Sequence, residues 1–205
     1  MPDRPTALRT PILPKTIVMV GLMGAGKTVV GRRLATVLDL PFNDADTEIE
    51  TAAGCSIEEI FQRHGEAEFR AGERRVIARL MDGPIQVLAT GGGAFMDPST
   101  RALIRRRGVS VWLTADLEDL LVRTARRDNR PLLKQGDPRE ILERLIRLRY
   151  PVYAEADITV SSTEGSPDDT VERTLSKFEA FFGCNLQRQK ENLRHMSFED
   201  EATIE

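Results

Sequence analysis

The chain is poor in cysteine and in aromatic residues. Only two cysteines occur in 205 residues, Cys55 and Cys184. They lie far apart in sequence and match no metal-ligand spacing, so two inert thiols in a reducing compartment are expected. Aromatic residues make up 5% of the chain, which provides no stacking platform for single-stranded nucleic acid. Excess positive charge is missing too. The formal net charge is −3, which excludes the net basic surface that a general duplex binder needs. No stretch approaches the roughly 18 apolar residues of a membrane span. The N-terminal "MPDRPTALRTPILPK" holds four prolines and no apolar run long enough for a signal peptide. A cytoplasmic protein with no membrane and no nucleic-acid partner is expected, and a monomer is the default.

What remains is an ordinary globular balance of 40% apolar and 30% charged residues. The length suits one sizeable core and is short for two. Residues 1–14 read as a flexible, proline-rich leader, 15–183 as one domain, and 184–205 as a polar, charged tail that is either disordered or a solvated helix. Strand signals occur at "TIVMV" (16–20), "LPFND" (40–44), "IQVLAT" (85–90), "VSVWLT" (109–114) and "DITVSS" (157–162). All but "LPFND" lack clean alternation, as expected of strands buried on both faces. Helical segments separate them. One runs from Lys27 to about Leu38, one starts at the capping box Ser56-Ile57-Glu58-Glu59, and another covers 65–81. Asp97 before Pro98 reads as an N-cap with proline at the first helical position. Segments 116–127, 138–154 and 167–182 complete the set. Alternating strands and helices imply right-handed crossovers and a five-stranded parallel sheet in a three-layer α/β/α domain. The polar, basic stretch 126–138, "RRDNRPLLKQGDP", interrupts the alternation and is expected to be a mobile loop.

Between the first strand and the first helix lies "GLMGAGKT", with the spacing Gly-x-x-x-x-Gly-Lys-Thr. Glycines let successive backbone N–H groups converge on phosphate oxygens, and the start of the following helix adds a partial positive charge. Gly21, Met23, Gly24, Ala25, Gly26, Lys27 and Thr28 are therefore the candidate nucleotide-binding residues. Lys27 can bridge terminal phosphates, and Thr28 can offer its hydroxyl to Mg²⁺.

"FNDADTEIE" (42–50) sets Asp44 and Asp46 at the end of the second strand. At i and i+2 of an extended segment both face the same side. One can hold Mg²⁺ through water, and the other can orient or deprotonate a substrate hydroxyl. A polar turn with a helix N-cap uses the same residue type. Arg70, Arg130 and Arg149 stand out from the many surface arginines. Arg70 follows the apolar Phe69 and precedes Glu73 at i+3, which can hold its guanidinium. Arg149 precedes Tyr150 and Pro151, just past a helix. "TGGGAF" (90–95) places Gly91, Gly92 and Gly93 at the C-terminal end of a buried strand, where open α/β sheets bind ligands. Arginines suit a carboxylate; an aspartate and glycine backbone suit hydroxyls. The inferred acceptor is a small hydroxylated acid.

With these residues in hand, the chain resembles the shikimate kinase family. "GLMGAGKT", "FNDAD", "FQRHGEAEFRAGE", "ATGGGAF", "NRPLL" and "RYPVYAEAD" follow that family's signatures in order over about residues 15–180. The resemblance implies a P-loop fold of the nucleoside-monophosphate-kinase type. It also implies transfer of the ATP γ-phosphate to the 3-hydroxyl of shikimate, a step of aromatic amino-acid biosynthesis. By the same resemblance, Thr28 and Asp44 lie near Mg²⁺, and Asp46 meets the shikimate hydroxyls. Arg70 and Arg149 would meet its carboxylate, with Gly91–Gly93 lining the acceptor site and Phe61 and Phe69 forming apolar walls. Arg130 would be the lid arginine that reaches the transferring phosphoryl, joining Lys27 and Asp46 as the catalytic set. Arg126 or Arg127 would stack on adenine. Three other functions use parts of the same pattern: a kinase for another hydroxy acid such as gluconate, a nucleotide-binding module without turnover, and a phosphate-loop protein acting on nucleic acid.

Overall fold

A computed structural model describes residues 13–125, 136–163 and 165–196 of the chain. Strands β1 (Thr16–Val20), β2 (Phe42–Asp44), β3 (Val87–Ala89), β4 (Gly108–Thr114) and β5 (Ile158–Ser161) form one sheet in the order β2-β3-β1-β4-β5. Every pairing is parallel. Helices α1 (Lys27–Leu38), α2 (Ala45–Ala53), α3 (Ile57–Met81), α4 (Pro98–Arg107), α5 (Leu117–Ala125), α6 (Pro138–Tyr153), α7 (Pro167–Phe182) and α8 (Gln187–His195) supply the crossovers and the outer layers.

Strand order follows from burial. β1 is buried at all five positions and takes the central place, with Ile17 opposite Val87 on one side and Val109 on the other. The chain leaves β1 for the far edge at β2, returns to β3 beside β1, then crosses to β4. The C-terminal ends of β2, β3 and β1 therefore open into one crevice at the point where the order reverses. One strand departs from expectation. "DITVSS" is not buried on both faces: Ile158 and Val160 are buried while Thr159 and Ser161 are exposed, because β5 is an edge strand with one face open to water.

Helix starts follow their caps. Ser56 accepts from the Glu59 N–H while the Glu59 carboxylate accepts from the Ser56 N–H, completing the capping box of α3. Within α3, Gly65 leaves helical geometry at φ 78°, so the element bends between its two sequence segments. Asp97 Oδ1 accepts from the Thr100 N–H and starts α4 with Pro98 inside its first turn.

Both ends of the described chain depart from expectation. Leu13, expected in a flexible leader, is fully buried in the main core. The tail contains α8, which is neither disordered nor merely solvated. Leu186 and Leu193 are buried in the core where α8 packs on α1 and α7. The Leu186 N–H and Lys190 Nζ donate to the two Glu179 carboxylate oxygens at 2.8 and 2.5 Å. Burying two leucines stabilises by about 1.5–3 kcal/mol each, enough to hold a short polar helix against the domain. Among the described residues no helix is long and apolar enough to cross a membrane.

Candidate active site

The crevice is built first by the loop after β1. Gly21, Gly24 and Gly26 have φ of 142°, 82° and 90°, a region that favours glycine. At Gly21 space decides as well, since a Cβ would lie 2.7 Å from the Leu113 carbonyl oxygen of β4. The loop then feeds α1, whose N-cap is Gly26. Lys27 Nζ folds back and donates to the Gly21 and Leu22 carbonyls, each at 2.9 Å. The Thr28 hydroxyl donates to Asp44 Oδ2 at 2.8 Å, so the loop and the end of β2 meet.

Asp44 does two things at once. Its other oxygen accepts from the Asp46 N–H at 3.0 Å and caps α2. The helix-cap reading of this stretch and its place beside the phosphate loop thus describe the same side chain. Asp46 is not part of the extended segment; it is the second residue of α2. The i, i+2 argument from an extended chain does not hold, and the turn into α2 brings the two carboxylates together instead. Burial, then the neighbouring Asp44, pushes the Asp46 carboxyl up to about 6; Lys27 opposes this and Glu73 and Glu50 add to it.

The triple glycine is the junction of the site. Thr90 pins it to the sheet by donating from its hydroxyl to the Met19 carbonyl at 2.9 Å. Each glycine then faces a different charged group. A Cβ on Gly91 would lie 2.7 Å from Asp46 Oδ1 and 2.9 Å from Glu73 Oε1. One on Gly92 would lie 3.3 Å from Arg149 Nη1, 3.5 Å from the Gly21 carbonyl oxygen and 3.6 Å from the Met23 nitrogen. One on Gly93 would overlap the Arg70 guanidinium. The turn therefore touches the phosphate loop, Asp46 and both arginines, and no side chain larger than hydrogen fits without displacing one of them.

Arg70 Nη1 donates to Glu73 Oε2 at 2.7 Å, and its guanidinium lies 5.0 Å from the Phe69 ring centre. Glu73 is only 3% exposed. Burial raises its carboxyl above the usual range while Arg70 pulls the other way, and Oε1 has no hydrogen-bond partner among the described residues. The expected helical segment 138–154 is α6, so Arg149 lies inside that helix and not just past one. α6 runs on through Pro151 to Tyr153, and from inside its last turns Arg149 Nη1 donates to the Gly92 carbonyl at 2.9 Å. Phe61 and Phe69 stack at 4.6 Å and form a small apolar cluster with Ile49 and Ile60, separate from the main core.

Arg126, Arg127 and Arg130 lie outside the described residues. Two contributors to the site escaped sequence reading, Thr90 and Tyr153, whose hydroxyl donates to the Gly92 carbonyl. A signal for Tyr153 existed. It is four residues after Arg149 within the expected helical segment 138–154, hence on the same helical face.

Comparison with known proteins bears on the family and the fold. The sequence model described as "Shikimate kinase" matches residues 23–179. A shikimate kinase of Paramagnetospirillum magneticum is 65% identical over 161 residues, covering 78% of this chain and 83% of the relative. One from Caulobacter vibrioides is 58% identical over 166 residues, covering 81% and 83%. Among solved structures, shikimate kinase from Acinetobacter baumannii in complex with shikimate is similar with a TM-score of 0.78 and 40% identity, over 81% of this chain and 93% of that one. A gluconokinase from Sinorhizobium meliloti, at 19% identity and a TM-score of 0.57, shares the fold alone. The chain belongs to the shikimate kinase family.

Proposed function

We propose that this chain transfers the γ-phosphoryl group of ATP to the 3-hydroxyl of shikimate, giving shikimate 3-phosphate and ADP for aromatic amino-acid biosynthesis. One observation carries the reading. Gly92 lies against both the phosphate loop and Arg149, so a single turn joins an anion cradle to a guanidinium-and-carboxylate pocket. An acid held by the arginines through its carboxylate would present a hydroxyl toward Asp46 and the loop.

Phosphoryl transfer needs positioning and charge neutralisation more than covalent chemistry by the protein. The N–H groups from Met23 to Thr28 would hold the phosphates, and Lys27 would exchange its loop carbonyls for phosphate oxygens. Arg70, steadied by Glu73, and Arg149 would clamp the shikimate carboxylate. Asp46 would accept a hydrogen bond from the attacking hydroxyl, and a carboxyl near 6 is also poised to take its proton around neutral pH. Phe61 and Phe69 would wall the ring. Arg130 would reach the transferring phosphoryl, and Arg126 or Arg127 would stack on adenine.

The donors beside the loop fit Mg²⁺. Thr28 and Asp44 are hard oxygen ligands 2.8 Å apart, and among the described residues no group of three or more His, Cys, Asp or Glu could cage a metal. That is the donor set of an ion that keeps water and takes its other ligands from phosphates. Bound there, Mg²⁺ would neutralise charge on the β- and γ-phosphates.

The test is an acceptor panel with coupled ADP detection and direct detection of the product. Shikimate should be phosphorylated and gluconate should not. ADP formation independent of shikimate, or ATP and shikimate binding without product, would overturn the reading.

A further inference from the structure

Two side chains one helical turn apart on α6 converge on one carbonyl oxygen. Arg149 Nη1 donates to the Gly92 carbonyl at 2.9 Å, and the Tyr153 hydroxyl donates a second, short bond to the same atom. A carbonyl oxygen has two lone pairs, and both are used. Tyr153 is fully buried, with its ring packed against Phe95, Trp112 and Tyr150 at centroid separations of 6.4, 6.0 and 6.3 Å. Burial pushes its phenol up to about 12, so it stays a neutral donor at ordinary pH.

Buried hydroxyls commonly just find a partner in the core. Two features set this one apart. Its acceptor belongs to the turn that joins the two halves of the crevice, and that acceptor is shared with Arg149. The phosphate loop also approaches Gly92, so the bonded carbonyl belongs to the residue that touches both halves.

We propose that Tyr153 is a positioning residue for the acceptor. Its hydroxyl clamps the Gly92 carbonyl and, through the oxygen they share, fixes where the Arg149 guanidinium stands relative to the phosphate loop. Arg149 uses one of its five N–H donors on this oxygen and can turn others to a carboxylate. Without the phenol the carbonyl can tilt, and the guanidinium that follows it loses its fixed place. The inference rests on the proposed function, since it takes Arg149 as a ligand of the acid.

The experiment is steady-state kinetics of the full chain carrying Tyr153→Phe, with shikimate and Mg-ATP varied separately. The shikimate KM should rise about tenfold, ~1.4 kcal/mol. The ATP KM should stay within about twofold and the thermal midpoint within a few degrees, magnitudes set by losing one neutral hydrogen bond. In an Arg149→Lys background the effect of Tyr153→Phe should shrink several-fold, because the clamp acts through the arginine. An unchanged shikimate KM, an equal rise in both KM values, or an undiminished effect beside Arg149→Lys overturns the proposal.

If the phenylalanine variant fails to fold, 3,5-difluorotyrosine at position 153 keeps the ring and hydroxyl but makes the phenol more acidic. The charged and titratable groups facing it are Arg149 and Tyr150 on α6 and Arg70 on α3. An ionised phenol cannot donate to Gly92 and would pair with Arg149. Shikimate affinity should then fall at a lower pH than in the wild type while ATP affinity holds level; coincident profiles overturn the proposal. Wild-type turnover separates the two claims. No turnover with shikimate removes the proposed function and this inference together, whereas normal turnover with an indifferent Tyr153→Phe removes this inference alone.

Discussion

Replacing Asp46 by asparagine should abolish phosphoryl transfer and, at the same time, stabilise the ligand-free protein at neutral pH. The carboxyl is pushed up to about 6 from its ordinary value of 3.8, chiefly by burial and then by Asp44. The sign follows from proton binding. Between those two values the folded chain holds the proton and the unfolded chain does not, so stability falls as pH rises from about 4 to about 6. Above pH 6 the folded protein carries an ionised carboxylate in an unfavourable place. The gap between 3.8 and about 6 corresponds to roughly 3 kcal/mol. Asparagine removes that cost while the cap of α2, made by the Asp46 backbone N–H to Asp44, is retained. For a chain of this size the gain corresponds to about 6–12 °C in the unfolding midpoint at pH 7. Well below pH 3.8, where Asp46 is neutral in both states, the two proteins should melt together. Calorimetry or urea titration at pH 7 and at about pH 3, paired with ATP binding and product detection, checks both halves. Equal stability at pH 7, or a gain that persists undiminished in acid, would refute the electrostatic reasoning. Near-normal transfer by the variant would remove Asp46 from the mechanism.

Three further outcomes are expected. Arg130→Ala should lose turnover by roughly 10³-fold or more, by analogy with arginine fingers, while shikimate binding measured by calorimetry changes little; equal losses in both would contradict a role confined to the phosphoryl group. Gly93→Ala should raise the shikimate KM at least about tenfold with ATP affinity unchanged, because the added methyl overlaps the Arg70 guanidinium and must displace it; unaltered kinetics would show that the guanidinium is not held there. Leu193→Ala should destabilise the chain by about 2–5 kcal/mol, the usual result of emptying a buried leucine site, and a urea midpoint that does not move would show α8 to be an ornament rather than part of the core.

The parts of this site that sequence reading recovered are those with short-range physical signatures. The phosphate loop needs glycines at set positions in one turn, and the capping box at Ser56 and the Asp97-Pro98 start are chemistry within four residues. The pairing of Arg70 with Glu73 is an i, i+3 relation on one helix and was visible for the same reason. Features that depend on where an element ends are not local. Asp46 passed for strand because nothing local says that α2 begins immediately at Ala45. Arg149 read two ways, inside the segment 138–154 and just past a helix, because a proline at 151 ordinarily marks a stop, whereas α6 carries on through it. α8 looked solvated because its composition is polar, and two leucines and the glutamate they sit beside only matter once α1 and α7 supply a surface. The edge position of β5 is equally invisible, since strand order is a property of the whole sheet.

Sequence alone determined that this chain carries a Gly-x-x-x-x-Gly-Lys-Thr loop at residues 21–28, alternates strands with helices, and belongs to its family, because those features are written in contiguous residues whose backbone chemistry is local. Only the tertiary structure decided that Gly91, Gly92 and Gly93 each face a different charged group, and that Arg149 and Tyr153 meet on one oxygen. The bonds of Arg149 and Tyr153 to Gly92 join residues some 60 positions apart. They depend on which strand ends lie side by side, and that is settled by burying β1 between β3 and β4 rather than by any local preference.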